Sequence, residues 1–319
     1  MDAKISTRSD APYTQGFILI AVLWVTALLS LFALYYSSSA RVQGMQALNT
    51  EKWLMHFSLL QSGMDWGYHE YRKFKANESL LSSKEQLEEQ ADQTLDLKNP
   101  RYEPYTMTAG NQTVEVSIVD LSGKVSINEV DEPLLRDILS ACGVQMGVGQ
   151  TTVINSILDW MDQDDQHRQE GAEKDYYMGL EPPYRPKNGP LESIEELLLI
   201  KGIDRDLFHG NEEVPGLKDF LTVYGEQTTM DINNASPQAF LIIEEMPLDV
   251  VQDIVAYRKE NRIDELTDLL DIVPQKHFGE LEQYFSVTSS PYIEIVARMV
   301  TETGSSGQSM QKLYHINGS

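Results

Sequence analysis

An uncharged run from Ala11 to Ala40 dominates the pattern of apolar and polar positions along the chain. Its core, Phe17 to Tyr36, is twenty residues long and holds only one Thr and one Ser. A helix of that length spans about 30 Å, the thickness of the hydrocarbon core of a bilayer. The pattern therefore predicts a membrane-spanning helix at residues 17–40.

A cleaved secretory signal is the alternative interpretation of this run. Such signals have an apolar region of about 7 to 15 residues that ends in a small-x-small cleavage site. The run in this chain is longer, and Ser38-Ser39-Ala40 fits such a site poorly. A retained membrane anchor is therefore favoured.

The pattern beyond Arg41 becomes periodic. A partly apolar stripe recurs at spacings of three, four and seven residues, at Leu48, Met55, Leu59, Ser62 and Trp66. This spacing predicts that the helix continues and packs one face on a domain, because positions three and four apart share a helix face.

Alternating apolar and polar positions indicate strands on both sides of a middle region that is mainly helical. The alternating segments are Thr113–Val119, Val125–Ile127, Ile293–Met299 and Lys312–Ile316. We therefore expect an α+β fold in which a small antiparallel sheet carries a large inserted helical domain. The expected divisions are a helix and first strands at 41–127, the insertion at 128–284 and returning strands at 285–319.

The middle region contains an internal repeat whose three segments follow the same order in both copies. Val125–Val130 matches Met230–Ala235, Ile157–Trp160 matches Ile254–Tyr257, and Ile194–Ile200 matches Leu266–Ile272. Each copy is predicted to form three helices, with Asn128 or Asn233 as the N-cap or Asx turn of the first. The repeat indicates duplication of a unit like a helix-hairpin-helix.

The two copies differ most between their second and third helices. This connection is 25 residues longer in the first copy, and within it residues 159–181 hold eight acidic residues against Arg168 and Lys174. Asp159 and Asp162 lie one helical turn apart, where like charges repel unless a cation lies between them. Carboxylate and amide oxygens are ligands that Ca²⁺ prefers. A solvated acidic loop is the alternative.

Charge and cysteine content exclude several classes of function. The net charge is −24, which opposes binding to nucleic acid and anionic lipid headgroups. Cys142 is the sole cysteine, so no disulfide forms within the chain. The histidines and cysteine show no catalytic or zinc-binding spacing, and no phosphate-binding glycine loop is present, so we expect no enzyme activity.

The N-terminus resembles that of type IV prepilins and pseudopilins. The apolar run begins Gly16-Phe17, after a short polar leader that holds Lys4 and Arg8. This resemblance implies that a prepilin peptidase removes residues 1–16 and that Phe17 becomes the methylated N-terminus. Most members have a glutamate where this chain has Ala21. The K class of type II secretion pseudopilins lacks that glutamate.

The acidic segment resembles the same K class. The resemblance is carried by Asp159-Trp160-x-Asp162-x-Asp164, Gly171-Ala172-Glu173-x-Asp175-Tyr176-Tyr177 and Pro182-Pro183-Tyr184-Arg185-x-x-Asn188-x-Pro190-Leu191. It implies a pilin-like long helix and sheet with an inserted domain that binds calcium. The candidate calcium ligands are Asp159, Asp162, Asp164, Glu173, Asp175 and Asn188.

The same resemblance implies a biological role. A K-class minor pseudopilin is expected at the tip of the pseudopilus, with I-class and J-class minor pseudopilins beneath it. Its anchor would cross the inner membrane once, in contact with inner-membrane lipid, and its C-terminal domain would lie in the periplasm.

A second resemblance supplies the competing hypothesis. Residues 231–278 resemble the helix-hairpin-helix domain of membrane-anchored DNA-uptake receptors. Those domains bind phosphates through glycine hairpins, whereas the hairpin positions in this chain, Glu244–Leu248 and Ile272–Lys276, lack the glycine pair. We therefore expect no nucleic-acid partner.

Overall fold

The structure is a computed structural model that describes residues 13–81, 104–110, 112–211, 213–300 and 306–316. The chain divides into two compact units, Met1–Leu59 and Leu60–Ser319. Residues 1–12 of the predicted leader lie outside the described part of the chain.

The first unit consists, where described, of the N-terminal part of helix α1, which spans Tyr13–Leu81. This part holds a window of mean hydropathy 2.7, and none of that window is buried within the protein. Phe17 is 74% exposed and Tyr36 is 77% exposed. An apolar surface of this length is stable only in an apolar environment, so the helix fits a membrane anchor.

The second unit contains a four-stranded antiparallel sheet of order β1-β2-β7-β8. The strands are β1 (Tyr105–Ala109), β2 (Gln112–Asp120), β7 (Tyr292–Val300) and β8 (Ser306–His315). The central pair places Val116 opposite Ala297 and Ile118 opposite Ile295. The alternation that predicted β2 and β7 is confirmed, since one side of each strand is buried and the other is partly exposed.

Two glycines let α1 approach this sheet closely. A Cβ atom on Gly67 would lie 2.8 Å from Val116 Cγ1, and one on Gly63 would lie 3.0 Å from Val116 Cγ2. The helix residues buried beside them are Leu60, Met64 and Tyr71. The packing face predicted from the sequence was only partly right, since Trp66 packs edge-on against Tyr105 of β1 with 5.0 Å between the ring centroids. Its members Leu48 and Met55 are 60% and 48% exposed, because the true face begins at Leu60 and uses small residues that hydrophobic spacing does not reveal.

The inserted region packs short helices around one apolar core. Its helices are α2 (Glu132–Ala141), α3 (Val148–Met161), α4 (Lys174–Met178), α5 (Arg205–His209), α6 (Leu217–Phe220), α7 (Leu248–Glu260) and α8 (Gln275–Tyr284). Its 3-10 helices are Leu121–Gly123, Ile194–Leu199, Pro237–Ile242 and Leu266–Leu269. The expected α+β fold, a long helix and small sheet with a large helical region, is confirmed.

The internal repeat is confirmed by matching strand pairs. Each copy begins with a two-residue strand and ends with another that pairs with it in parallel. In the first copy β3 (Val125–Ser126) pairs with β4 (Leu221–Thr222). In the second copy β5 (Met230–Asp231) pairs with β6 (Phe285–Ser286). Each copy thus has its first and last strands paired.

The repeated asparagines have a role that the sequence analysis did not predict. The side chain of Asn128 makes two hydrogen bonds to the backbone of Leu191. It donates to the carbonyl at 3.0 Å and accepts from the amide at 2.8 Å. Asn233 makes the same two bonds to Ile263, at 2.9 and 3.0 Å. The N-cap prediction was wrong, since the caps are Asp131 for α2 and Ser236 for the 3-10 helix in the second copy. The asparagines instead fasten the start of each copy to its third helical segment.

Cys142 lies at the end of α2 and is 7% exposed. Burial raises the pKa of its thiol from 9.0 to about 12, so at pH 8 the thiolate fraction is roughly a thousandth of that of an ordinary cysteine. We expect maleimide labelling of the native protein at pH 8 to be slowed at least about a hundredfold and to become fast in urea. Labelling followed by mass spectrometry measures this, and equal rates in both conditions would contradict the burial of the thiol.

Candidate metal centre

The last turn of α3 places a buried carboxylate at the start of the acidic segment. Asp159 is fully buried, and its neighbour Trp160 packs edge-on against the buried ring of Tyr177 at 5.2 Å. The helix ends at Met161, and Asp162 is its C-cap. Asp159 and Asp162 therefore lie on one face, as their spacing predicted.

The chain after α3 turns back onto Asp159. The backbone amide of Arg168 donates to both oxygens of this carboxylate, at 3.2 and 3.1 Å. The Arg168 guanidinium bridges the two aspartates, with Nη1 at 2.7 Å from Asp159 Oδ1 and 2.5 Å from Asp162 Oδ2. Gly171 makes this return possible, because a Cβ atom there would lie 2.0 Å from Asp159 Oδ2.

Glu173 is the third member of the cluster. It is 1% exposed, and both of its carboxylate oxygens are buried without a hydrogen-bond partner in the part of the chain that the structure describes. Burial, followed by the charge of Asp159 and Asp162, raises the pKa of Glu173 to about 7. An unpaired buried carboxylate is costly, so this position indicates a site built for a positive charge.

The three acids form a compact set of hard oxygen ligands. One carboxylate oxygen from each of Asp159, Asp162 and Glu173 lies within 4.8 Å of the others. Calcium binds oxygen ligands at about 2.3 to 2.6 Å, so oxygens this far apart can contact one ion together. The residues present therefore fit a divalent oxygen-preferring cation.

The remaining predicted ligands occupy different places. Asp164 is exposed and its side chain accepts from the amide of Gln166 at 2.8 Å. Asn188 donates to the carbonyl of Asp164 at 2.9 Å, while its own Oδ1 is buried and has no partner among the described residues. Asp175 lies on the exposed side of α4, where its carboxylate accepts from Tyr176 N. The structure thus brings together three of the six predicted ligands, Asp159, Asp162 and Glu173. Asn188 is hydrogen-bonded to the same loop.

Lys201 supports this loop and was missed from the sequence. Its ammonium group donates to the carbonyls of Glu170 and Gly171, both at 3.1 Å, and lies 4.9 Å from the centre of the Tyr176 ring. Its backbone amide donates to the hydroxyl of Tyr177 at 3.3 Å. No local pattern marks this lysine, because it contacts residues about thirty positions earlier.

The second copy of the repeat has no equivalent cluster. In the alignment of the two copies, Ala256 takes the place of Asp159 and Lys259 that of Asp162. Both residues are exposed on α7, since the short connection of this copy does not cover them. The acidic cluster is therefore present in the copy whose longer loop closes over it.

Comparisons with known families agree with this architecture. Residues 117–214 match the family model described as type II secretion system (T2SS), protein K. A curated relative, the type II secretion system protein K of Pectobacterium carotovorum subsp. carotovorum, is 42% identical over 53 residues. That segment is 17% of this chain and 16% of the relative, so the match spans about a sixth of the relative's length.

A solved structure is similar over most of the chain. It is the crystal structure of the GspK-GspI-GspJ complex from the type 2 secretion system of enterotoxigenic Escherichia coli. The match has a TM-score of 0.51 and 18% identity, and covers 81% of this chain and 95% of the matched chain. At this identity the likeness establishes a shared fold. The DNA-uptake hypothesis gains no support from these matches.

Proposed function

We propose that this chain is a member of the type II secretion protein K family and the minor pseudopilin at the tip of the type II secretion pseudopilus, which the matches to that family support. It acts through assembly rather than catalysis and serves protein export across the outer membrane. The observation that carries the proposal is the family match at residues 117–214 in a chain with a long apolar N-terminal helix and a small antiparallel sheet.

The partners we propose are the I-class and J-class minor pseudopilins of the same system. The similar solved structure is a complex of three such proteins, which supports this choice. Ala21 supports a position at the tip, since a subunit with no neighbour above it needs no glutamate to pair with that neighbour's N-terminal amine. The anchor crosses the inner membrane and the second unit lies in the periplasm.

Calcium is the ion we propose for the cluster of Asp159, Asp162 and Glu173. Bound there, it would supply a positive charge to Glu173, whose buried oxygens have no partner among the described residues. The unpartnered oxygens of Glu173 and Asn188 support the proposal, because each is an acceptor of the hard type that calcium prefers. Asp159 and Asp162 would hold the end of α3 to the returning loop, in the place of a disulfide.

The processing site is tested by sequencing the N-terminus of the mature protein. We propose that prepilin peptidase cuts between Gly16 and Phe17, so the mature chain is expected to begin at Phe17. Replacing Gly16 with Leu is expected to leave the leader attached, and Gly44→Leu, at a helix position with open space around it, serves as the control. A mature chain that begins near Arg41 would contradict an anchored pseudopilin.

The function is tested by complementation. In a host that lacks its own K subunit, the full chain together with its I-class and J-class partners is expected to restore export of the secreted proteins. The Gly16→Leu variant is expected to fail while the Gly44→Leu variant succeeds. Export that stays at the level of the deletion strain, although the chain is processed and stable, would contradict the proposed role.

A further inference from the structure

We infer that Arg168 is a built-in counter-cation that holds the carboxylate cluster when no divalent ion is bound and that calcium displaces from it. The inference rests on the calcium site proposed above. It assigns a role to a positively charged residue in a segment where acids greatly outnumber bases.

Arg168 is well placed to neutralise the cluster. Its Nη1 atom contacts Asp159 Oδ1 at 2.7 Å and Asp162 Oδ2 at 2.5 Å, so one guanidinium nitrogen is paired with both carboxylates. The Asp159 side chain is fully buried, so leaving it ionised without a partner would be strongly destabilising. The guanidinium therefore keeps the loop folded over α3 before any metal arrives.

A bound divalent ion would compete with the guanidinium for the same oxygens. Calcium lies about 2.3 to 2.6 Å from its ligands. An ion that contacts Asp159 Oδ1 and Asp162 Oδ2 at those distances would occupy nearly the position of Nη1. The two cations cannot share this position, so one must leave.

The local structure allows the arginine side chain to leave without releasing the loop. The side chain is 41% exposed and can reach solvent. The backbone amide of Arg168 keeps its own bonds to Asp159, at 3.2 and 3.1 Å, and Lys201 keeps its bonds to Glu170 and Gly171. The loop thus stays anchored while its side-chain cation is exchanged.

Glu173 is the residue that favours a divalent ion over the Arg168 guanidinium. The described contacts of Arg168 satisfy Asp159 and Asp162, whereas both oxygens of Glu173 remain buried and unpartnered. With Glu173 ionised, three carboxylates and one guanidinium leave a local charge of −2. An ion that contacts all three acids gains an interaction that the arginine does not make. Arg168 therefore lowers the apparent calcium affinity while it stabilises the metal-free protein.

The test compares Arg168→Gln with Arg185→Gln in the full-length protein in detergent. Arg185 is exposed in the same loop, so its replacement makes the same change in charge away from the cluster. Calcium affinity is measured by titration calorimetry with calcium chloride, and thermal stability is measured in excess EGTA. We expect Arg168→Gln to bind calcium about tenfold or more tightly than wild type. We also expect its metal-free melting temperature to fall by at least about 4 °C.

Each outcome has a defined meaning. Arg185→Gln should stay within about twofold of wild type in affinity, which excludes a general charge effect. Calcium binding by wild type together with equal or weaker binding by Arg168→Gln would overturn the inference and leave the calcium site standing. If neither protein binds calcium, both the site and the inference fall. If the metal-free variant does not fold, it is prepared with calcium and titrated with EGTA, and loss of calcium at a lower EGTA concentration than from wild type would overturn the inference.

Discussion

Calcium at one hundred times its dissociation constant is expected to raise the melting temperature of the protein by roughly 5 to 10 °C. An ion that binds only the folded state at this excess contributes about 2.7 kcal/mol. The reason it should bind the folded state is the position of Glu173, whose two oxygens are buried and unpartnered beside Asp159 and Asp162. In the unfolded chain these three carboxylates are hydrated and far apart.

Thermal unfolding in calcium and in EGTA, at physiological ionic strength, measures this effect. Trypsin digestion is expected to cut within residues 160–190 faster in EGTA than in calcium. Glu173→Gln should lose most of the response to calcium, while Asp253→Asn, which removes an exposed acid from α7, should keep it. The same concentration of magnesium should give a smaller shift, because magnesium demands a stricter octahedral geometry. Equal melting temperatures of the wild type in calcium and EGTA would rule out a structural metal.

Gly67→Leu is expected to destabilise the second unit by about 3 kcal/mol or more. The first atom of the new side chain would already lie 2.8 Å from Val116 Cγ1 and 3.3 Å from Ile295 Cγ2. Both partners belong to the central strands of the sheet, which pair with neighbours on both sides and cannot move alone. The helix and sheet must therefore separate, which exposes Leu60 and Met64 to water.

The matched control for this substitution is Gly279→Leu. Gly279 lies in the middle of α8, and a Cβ atom there would meet nothing within 4 Å. Because leucine favours helices over glycine, this control should stabilise the protein by up to about 1 kcal/mol. Urea unfolding of both full-length variants in the same detergent gives the comparison. A Gly67→Leu protein as stable as wild type would mean that α1 does not pack on the sheet as described.

Much of the fold follows from local patterns in the sequence. The apolar run, the alternation in β2 and β7 and the repeated segments each predicted an element that the structure contains. These elements could be predicted because burial of one face imposes a period of 3.6 residues on helices and of 2 residues on strands. Strand β1 was missed, since it is a short strand at the edge of the sheet with no fully buried residue.

The candidate site was only partly predictable. The repeat showed that one copy carries an acidic insertion, and the one-turn spacing placed Asp159 and Asp162 on one face. Nothing local separates Glu173, which is buried in the cluster, from Asp175, which is exposed two residues later. That difference depends on how the returning loop meets α3, and a turn without regular structure leaves no periodic signal in the sequence.

The amino-acid sequence by itself determined an apolar N-terminal helix, an alternating sheet, a duplicated helical region and an excess of acid in one connection. The tertiary structure alone decided that Gly63 and Gly67 face the sheet, that Asn128 and Asn233 clamp distant backbone, and that Arg168 bridges two aspartates. The physical reason is the separation along the chain between the residues that make these contacts. Periodicity records which face of a segment is buried, whereas these contacts join residues whose closeness exists only after the whole chain has packed.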